Sequence, residues 1–545
     1  MFFKLSTPTK RIFTFPVHPF LFAAFPIFSI YYSNIAEVYP FSFWKPLVVS
    51  FSLAVLLFSA FKFIFRDRQK AGLTTLVALV IVFTHGHIHN FIGSSFANFF
   101  DQGNRVSLLL FTLGIDDILF LVWGIVFLIF FTVIYRTKGN LTSLIKGLNF
   151  TFAVLLVIPL FGSFYYEAAN LQTRILRKSS SEQADINLVG GEIKRKPDIY
   201  YIILDRYASN RTLKDFYNFD NRYFTDFLEE KGFYVAYDAL SNYPRTLPSL
   251  AAALNMDYIN YLSNIAGEDT SDQTFAYPLV DHHKVGETLK SLGYKYIHLG
   301  SWFEPTKVSS VADQNLLLGD IYLKNLDGLS TEILNTTIFA PLIRKFLPGT
   351  SSESFAIQHA NRILYQFDQV KKIAEVESDP KFVFAHILIP HPPFVFNESC
   401  QVAPGGGVWA EDTVITGYTD QLTCGNQLIM AMVEEILQSA NDLPIIVIQA
   451  DEGPYARRYP MLPGRFNFKE ASDNTLKERF GILNALYLPG IGAEQLYPEL
   501  SQVNTFRVIF RNYFGADLEN LPDKSYIYAD EDHFYKYSEV TNRLR

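Results

Sequence analysis

The stretch Pro197-Asp-Ile-Tyr-Tyr-Ile-Ile-Leu-Asp205 is a nearly unbroken apolar run that ends in a carboxylate. Its form returns at Leu443-Pro-Ile-Ile-Val-Ile-Gln-Ala-Asp451-Glu452-Gly453, and a third run stands at Lys381-Phe-Val-Phe-Ala-His-Ile-Leu388. A strand with one wet face alternates apolar and polar residues. A continuous run is buried on both faces, as in a parallel sheet covered by helices. Helical patterns fall between the runs, at 222–231, 285–292, 354–375 and 420–440. This alternation predicts an α/β domain with a central, mostly parallel sheet over 197–545.

In an open α/β sheet, ligands bind beyond the carboxyl ends of the strands. Asp205 and Asp451 are expected there, with Glu452 directly after. His391 follows the third run in Ile389-Pro-His-Pro-Pro-Phe394, a loop whose prolines restrict the backbone. The stretch Asn242-Tyr-Pro-Arg-Thr-Leu-Pro-Ser-Leu-Ala-Ala-Ala-Leu254 reads as a helix start, with Pro248 in the first turn and good helix formers after it. Thr246 then falls at or just before the N-cap, where a hydroxyl faces free backbone N–H groups and an anion is favoured. Taken singly, Thr246 is an ordinary cap and each acid an ordinary turn residue. Their joint placement at one sheet edge weighs against that reading. Oxygen ligands suit one divalent ion, Zn, Mn or Mg. With Asp205, Asp451 and Glu452 as its ligands and Thr246 beside them, the ion would activate the hydroxyl as a nucleophile on phosphorus.

The chain has 545 residues, of which 49% are hydrophobic and 19% charged, with 51 Phe and 31 Tyr, a balance that points to membrane spans. Apolar stretches at 12–32, 46–65, 73–92, 118–135 and 150–166 are each near the ~20 residues a spanning helix needs. They predict a five-span transmembrane domain over 1–170, and 12–32 is expected to be a retained anchor because no small-residue cleavage site follows it. Lys4, Lys10 and Arg11 precede the first stretch, Arg66, Arg68 and Lys70 follow the second, and Arg136, Lys138 and Lys146 follow the fourth. This puts the N-terminus in the cytoplasm and everything after 166 in the extracellular or periplasmic space. The polar segment 171–196 is expected to be a linker. The loop 93–113 is expected on the membrane surface. His85 and His89 share a helix face, to bind a metal or lipid head group or to sit at the outer interface.

A net charge of −7 argues against a nucleic-acid partner. Two cysteines, Cys400 and Cys424, exclude a Cys-rich metal site and leave one extracytosolic disulfide or two free thiols. Asp532 and His533 near the end stand at the surface or reach toward the site.

The outer domain resembles the alkaline phosphatase superfamily on its sulfatase-like branch. With N-terminal spans it looks most like the membrane-anchored phosphoethanolamine transferases and lipoteichoic acid synthases. The resemblance covers about 197–490. Asp205 is similar to the first metal acid at the end of the opening strand, and Thr246 to the Thr nucleophile. Thr246-Leu-Pro-Ser249 resembles the sulfatase C-x-P-S shape with Thr for Cys. Asp451-Glu452-Gly453 resembles the S-D-H-G metal motif, with Glu452 where those families usually have His, and His391 resembles the substrate-binding histidine. The resemblance implies a metal-dependent transferase or hydrolase of phosphate esters, with a membrane lipid as donor and a surface glycan or polymer as acceptor. Two alternatives stand beside it. One is a sulfatase, against which Thr246 counts because Thr cannot give the oxidised aldehyde nucleophile. The other is a non-catalytic binding domain, which Glu452 favours.

Overall fold

The computed structural model describes residues 15–95, 105–108, 111–180, 196–318, 326–346, 355–376, 380–407, 414–454 and 466–545. The chain divides into two compact units, Met1–Arg174 with Asp320–Ser352, and Ile175–Gly319 with Glu353–Arg545.

The first unit holds helices α1 (His18–Ser33), α2 (Trp44–Phe65), α3 (Arg68–Ser95), α4 (Ile115–Arg136) and α5 (Thr142–Ser180). Among the described residues, four helices are long and apolar enough to cross a membrane: α2, α3 over Arg68–Gly93, α4, and α5 over Thr142–Leu171. The span expected at 12–32 is not one of them, so four of the five expected spans are found among the described residues. At 16 residues, α1 measures about 24 Å, short of the ~30 Å hydrocarbon core. Pro19 opens α1 and Pro26 lies within it, where a ring removes one helical hydrogen bond. Phe22, Ala23, Ile27, Phe28 and Tyr31 of α1 are buried in the unit's core. Among the spans α3 is central, with 61% of its apolar window buried against 11% for α4. Lys4, Lys10 and Arg11 lie outside the described residues, as do 96–104 and 109–110 of the expected surface loop.

Several polar groups inside this unit are paired, as a low-dielectric setting favours. Asn149 Oδ1 accepts from the backbone N–H groups of Val17 and His18 at 3.1 and 2.9 Å. His85 Nε2 and His89 Nδ1 lie 3.0 and 2.7 Å from one oxygen of Asp116, so a carboxylate of α4 serves both imidazoles. The loops after α2 and α4 meet at one end of the bundle, where Lys70 Nζ donates to the Tyr135 carbonyl at 2.8 Å.

The segment Asp320–Ser352 interrupts the expected outer domain and belongs to the first unit. Leu329 and Ile333 of its helix Gly328–Thr336 join the core of α1–α3. Gly86 makes the approach possible, since a Cβ there would lie 2.3 Å from the Asn335 carbonyl oxygen. The Ile338 N–H then donates to the Val82 carbonyl of α3 at 2.9 Å. So short an apolar patch has no spanning length and leaves no hydropathy signal.

The second unit is built on seven strands: β1 (Ile199–Leu204), β2 (Tyr234–Val235), β3 (Lys295–Leu299), β4 (Gln314–Leu316), β5 (Lys381–Ile387), β6 (Ile445–Ala450) and β7 (Asn484–Tyr487). Their order is β2-β7-β6-β1-β5-β3-β4. The five strands from β6 to β4 run parallel, and β7 and β2 add an antiparallel edge. The three apolar runs read from the sequence are the adjacent central strands β6, β1 and β5, each buried along its whole length. The membrane-proximal linker begins as a continuation of α5 to Ser180, and 181–195 lie outside the described residues.

Candidate active site

Strand register brings the first groups together. Leu204 pairs with Ala450, so Asp205 and Asp451 leave neighbouring parallel strands at the same level. His386 pairs with Ile203, two residues before Asp205, and therefore stands on the same face of the sheet. Asp205, His386 and Asp451 are buried, and their ligating atoms all lie within 4.8 Å of one another. His386 Nε2 is 3.5 Å from Asp205 Oδ2 and 4.0 Å from Asp451 Oδ2.

These groups fit a metal ion by a test internal to the fold. Asp205 Oδ1, His386 Nε2 and Asp451 Oδ2 are buried without a hydrogen-bond partner among the described residues. Unpaired buried polar atoms are costly, and here three converge. On the far side of the ring, His386 Nδ1 is 2.8 Å from the Thr306 hydroxyl, which also meets Ser301 Oγ at 2.8 Å. With its proton on Nδ1, His386 turns the Nε2 lone pair toward both carboxylates, the orientation that a metal-bound histidine needs.

The two carboxylates differ. Burial, then the charges of Asp205 and Glu452, push the Asp451 pKa well above its ordinary value, against the Thr246 hydroxyl and the Arg206 N–H. Burial also works to raise Asp205, but His391, His386 and Arg206 override it and hold that carboxyl below the usual range. A divalent cation is what would let both ionise.

Thr246 is the first residue of α6 (Thr246–Asn255); the cap position belongs to Arg245, and no side chain caps the helix. The hydroxyl is thus not spent on capping, and it favours the ionised form of Asp451. Ser249 Oγ donates to the Tyr243 carbonyl at 3.0 Å and holds the turn that carries Thr246.

Glu452, expected as a third carboxylate ligand, faces elsewhere. Its carboxylate pairs with Arg206 Nε at 3.1 Å and with Arg479 Nη2. Arg479 also donates to the Pro244 carbonyl at 2.8 Å and the Gly453 carbonyl at 2.6 Å. The Arg206 N–H donates to Asp451 Oδ1 at 3.2 Å. Glu452 therefore ties together the loops that carry Asp205, Thr246 and Asp451 and is not one of the three converging groups, whose imidazole is that of His386. Gly453 is needed at the next position, because a Cβ there would lie 2.5 Å from the carbonyl oxygens of Glu478 and Arg479. Glu452→Gln is expected to strand two buried guanidinium groups and to lower stability by about 3–5 kcal/mol, while the metal stoichiometry of the folded fraction stays the same. Thermal denaturation with metal analysis checks this; loss of the ion at unchanged stability would make Glu452 a ligand.

His391 is half-buried and stands close enough to Asp205 to couple to its carboxyl. Nδ1 of its ring meets the Pro392 carbonyl, which places the proton on Nδ1 and leaves Nε2 as an acceptor. Burial, then Arg206, pulls its pKa well below the ordinary value, so the ring is neutral at pH 7. Asp532 is exposed, and His533 pairs with Asp530 at 2.6 Å, away from the site.

His386, Arg206 and Arg479 escaped the sequence reading. The available signal for His386 was a single polar residue inside an otherwise apolar strand.

No family model matches the chain, and no curated protein matches it. Among solved structures, it is similar to the C-terminal periplasmic domain of EcEptC from Escherichia coli, at 11% identity and a TM-score of 0.42, over 66% of this chain and 96% of that one. The same domain in complex with Zn matches at 11% identity and a TM-score of 0.40, over 65% and 99%. The corresponding domain of the phosphoethanolamine transferase EptC from Campylobacter jejuni matches at 10% and 0.37, over 63% and 94%. A putative sulfatase from Bacteroides thetaiotaomicron matches at 13% and 0.38, over 63% and 75%.

Proposed function

We propose that the protein is a membrane-anchored transferase or hydrolase of phosphate esters, with Thr246 as nucleophile, a membrane lipid as donor and a surface glycan or polymer as acceptor. The observation that carries this reading is the Thr246 hydroxyl, left out of helix capping and set against Asp451 where Asp205 and His386 converge.

Asp205, His386 and Asp451 would hold one divalent ion. When bound, it supplies a Lewis acid that neutralises phosphoryl charge and favours an ionised Thr246. Thr246 Oγ forms a bond to phosphorus as the bond to the leaving alcohol breaks, and the hydroxyl proton ends on that alcohol. In the second step, Nε2 of neutral His391 accepts the proton of the incoming water or alcohol, whose oxygen forms a bond to phosphorus as the bond to Thr246 Oγ breaks, and the proton returns from His391 to Thr246 Oγ. Arg206 places positive charge beside Asp205, 3.8 Å from its Oδ1, which suits an anionic transition state.

The domain is assigned to the extracytoplasmic side. The basic loops after α2 and α4 share one end of the bundle, and α5 starts from that end and precedes the second unit in the chain, which supports this side by the positive-inside rule. The disulfide between Cys400 and Cys424 suits an oxidising compartment.

The full-length protein in detergent should cleave bis-p-nitrophenyl phosphate and not p-nitrophenyl sulfate. Activity should vanish with a chelator and return with one equivalent of one metal. Preference for the sulfate ester, or activity indifferent to the chelator, would refute the reading.

A further inference from the structure

The helix α7 (Phe355–Ala374) lies beside the site and carries His359 and Arg362, three residues apart on one face. His359 is 1% exposed, and its ring is 6.4 Å from that of Trp302, whose other neighbour is His391 at 5.8 Å. Charges show the order of the groups. Asp205 and Arg362 both act on His359, and His359 acts on His391, so His359 lies between Arg362 and the carboxylates. Arg362 is half-buried, its Nε is fully enclosed, and among the described residues its guanidinium makes no hydrogen bond or ion pair.

A guanidinium withdrawn from water without an acceptor is costly. Its planar fork matches an oxyanion with two parallel N–H bonds. Arg362 also stands one group further from the carboxylates than His359, so an anion bound there is not the one that Thr246 reaches. Resting on the reading of Thr246 as nucleophile, we propose that Arg362, backed by His359, is a subsite for a second anionic oxygen group of the substrate, distinct from the ester that reacts. The substrate class is then a phosphate ester that bears a further phosphate, carboxylate or sulfate. Trp302, 39% exposed, stands at the rim of this subsite.

Calorimetric titration of the full-length protein with methylenediphosphonate, which has two anionic groups, and methylphosphonate, which has one, needs no turnover. It therefore separates this proposal from the assignment of Thr246. Wild type should prefer the two-group probe. Arg362→Gln should lose that preference by roughly tenfold or more, the size of a lost charge-assisted hydrogen bond, and bind methylphosphonate unchanged. Equal weakening of both probes, or an unchanged preference, overturns the proposal. If Arg362→Gln fails to fold, Arg362→Lys, which keeps the charge without the fork, should lose part of the preference; full retention there overturns it as well. Titration with phosphatidate in the micelle and with soluble glycerol phosphate assigns the second group to a lipid or a soluble reactant. Binding of both that is indifferent to position 362 again overturns it.

Discussion

Thr246→Ala is expected to abolish turnover, by roughly 10³-fold or more, in a protein that stays folded and keeps its metal. The magnitude follows from the two-step scheme. Without Oγ no covalent intermediate forms, and what remains is binding and charge stabilisation alone. Retention of fold follows from the structure, since the cap position of α6 belongs to Arg245 and the turn is held by Ser249 and by Arg479 on the Pro244 carbonyl. If the hydroxyl were a cap, its loss would instead cost about 1 kcal/mol of stability and leave activity in place. Thr246→Ser should retain part of the rate, because a primary hydroxyl reaches the same position. Steady-state kinetics, thermal denaturation and metal analysis on the three proteins separate the two outcomes.

Asp451→Asn has an equally large effect by another route. Asparagine can accept the N–H groups of Arg206 and Glu452 through Oδ1, as Asp451 does at 3.2 and 2.9 Å. The local turn should therefore survive. What is lost is one of two buried carboxylates facing His386. Metal affinity should fall by more than the ~100-fold typical of groups that only orient a ligand, and turnover should fall with it. Because Asp205 and Glu452 both repel the Asp451 charge, the metal-free variant should be at least as stable as the metal-free wild type. A variant that holds a full equivalent of metal, or one that is markedly less stable without it, would mean that Asp451 serves the fold and not an ion.

The sheet was readable because strands buried on both faces leave unbroken apolar runs, and the three runs proved to be neighbours in its centre. Asp205 and Asp451 were visible as the residues that follow such runs. His386 was hidden by the same rule, since it stands inside a run and its relation to Asp205 is set by inter-strand register, which has no local signature. The pairing of Glu452 was hidden for a related reason. Adjacency to Asp451 suggested a shared ion, but successive side chains at a strand end point apart, and its true partners, Arg206 and Arg479, are distant in sequence. The first membrane stretch had the composition of a span, and its described helix has 16 residues. The return of Asp320–Ser352 to the membrane unit depends on a close approach at Gly86 that no hydropathy pattern carries.

The most direct test is mass spectrometry of the intact enzyme after brief exposure to bis-p-nitrophenyl phosphate, quenched before the intermediate is discharged. The expected result is a p-nitrophenyl phosphoryl adduct on the peptide that contains Thr246, absent from Thr246→Ala and Asp451→Asn. Turnover by the wild type with no adduct at Thr246, together with full activity of Thr246→Ala, would contradict the mechanism.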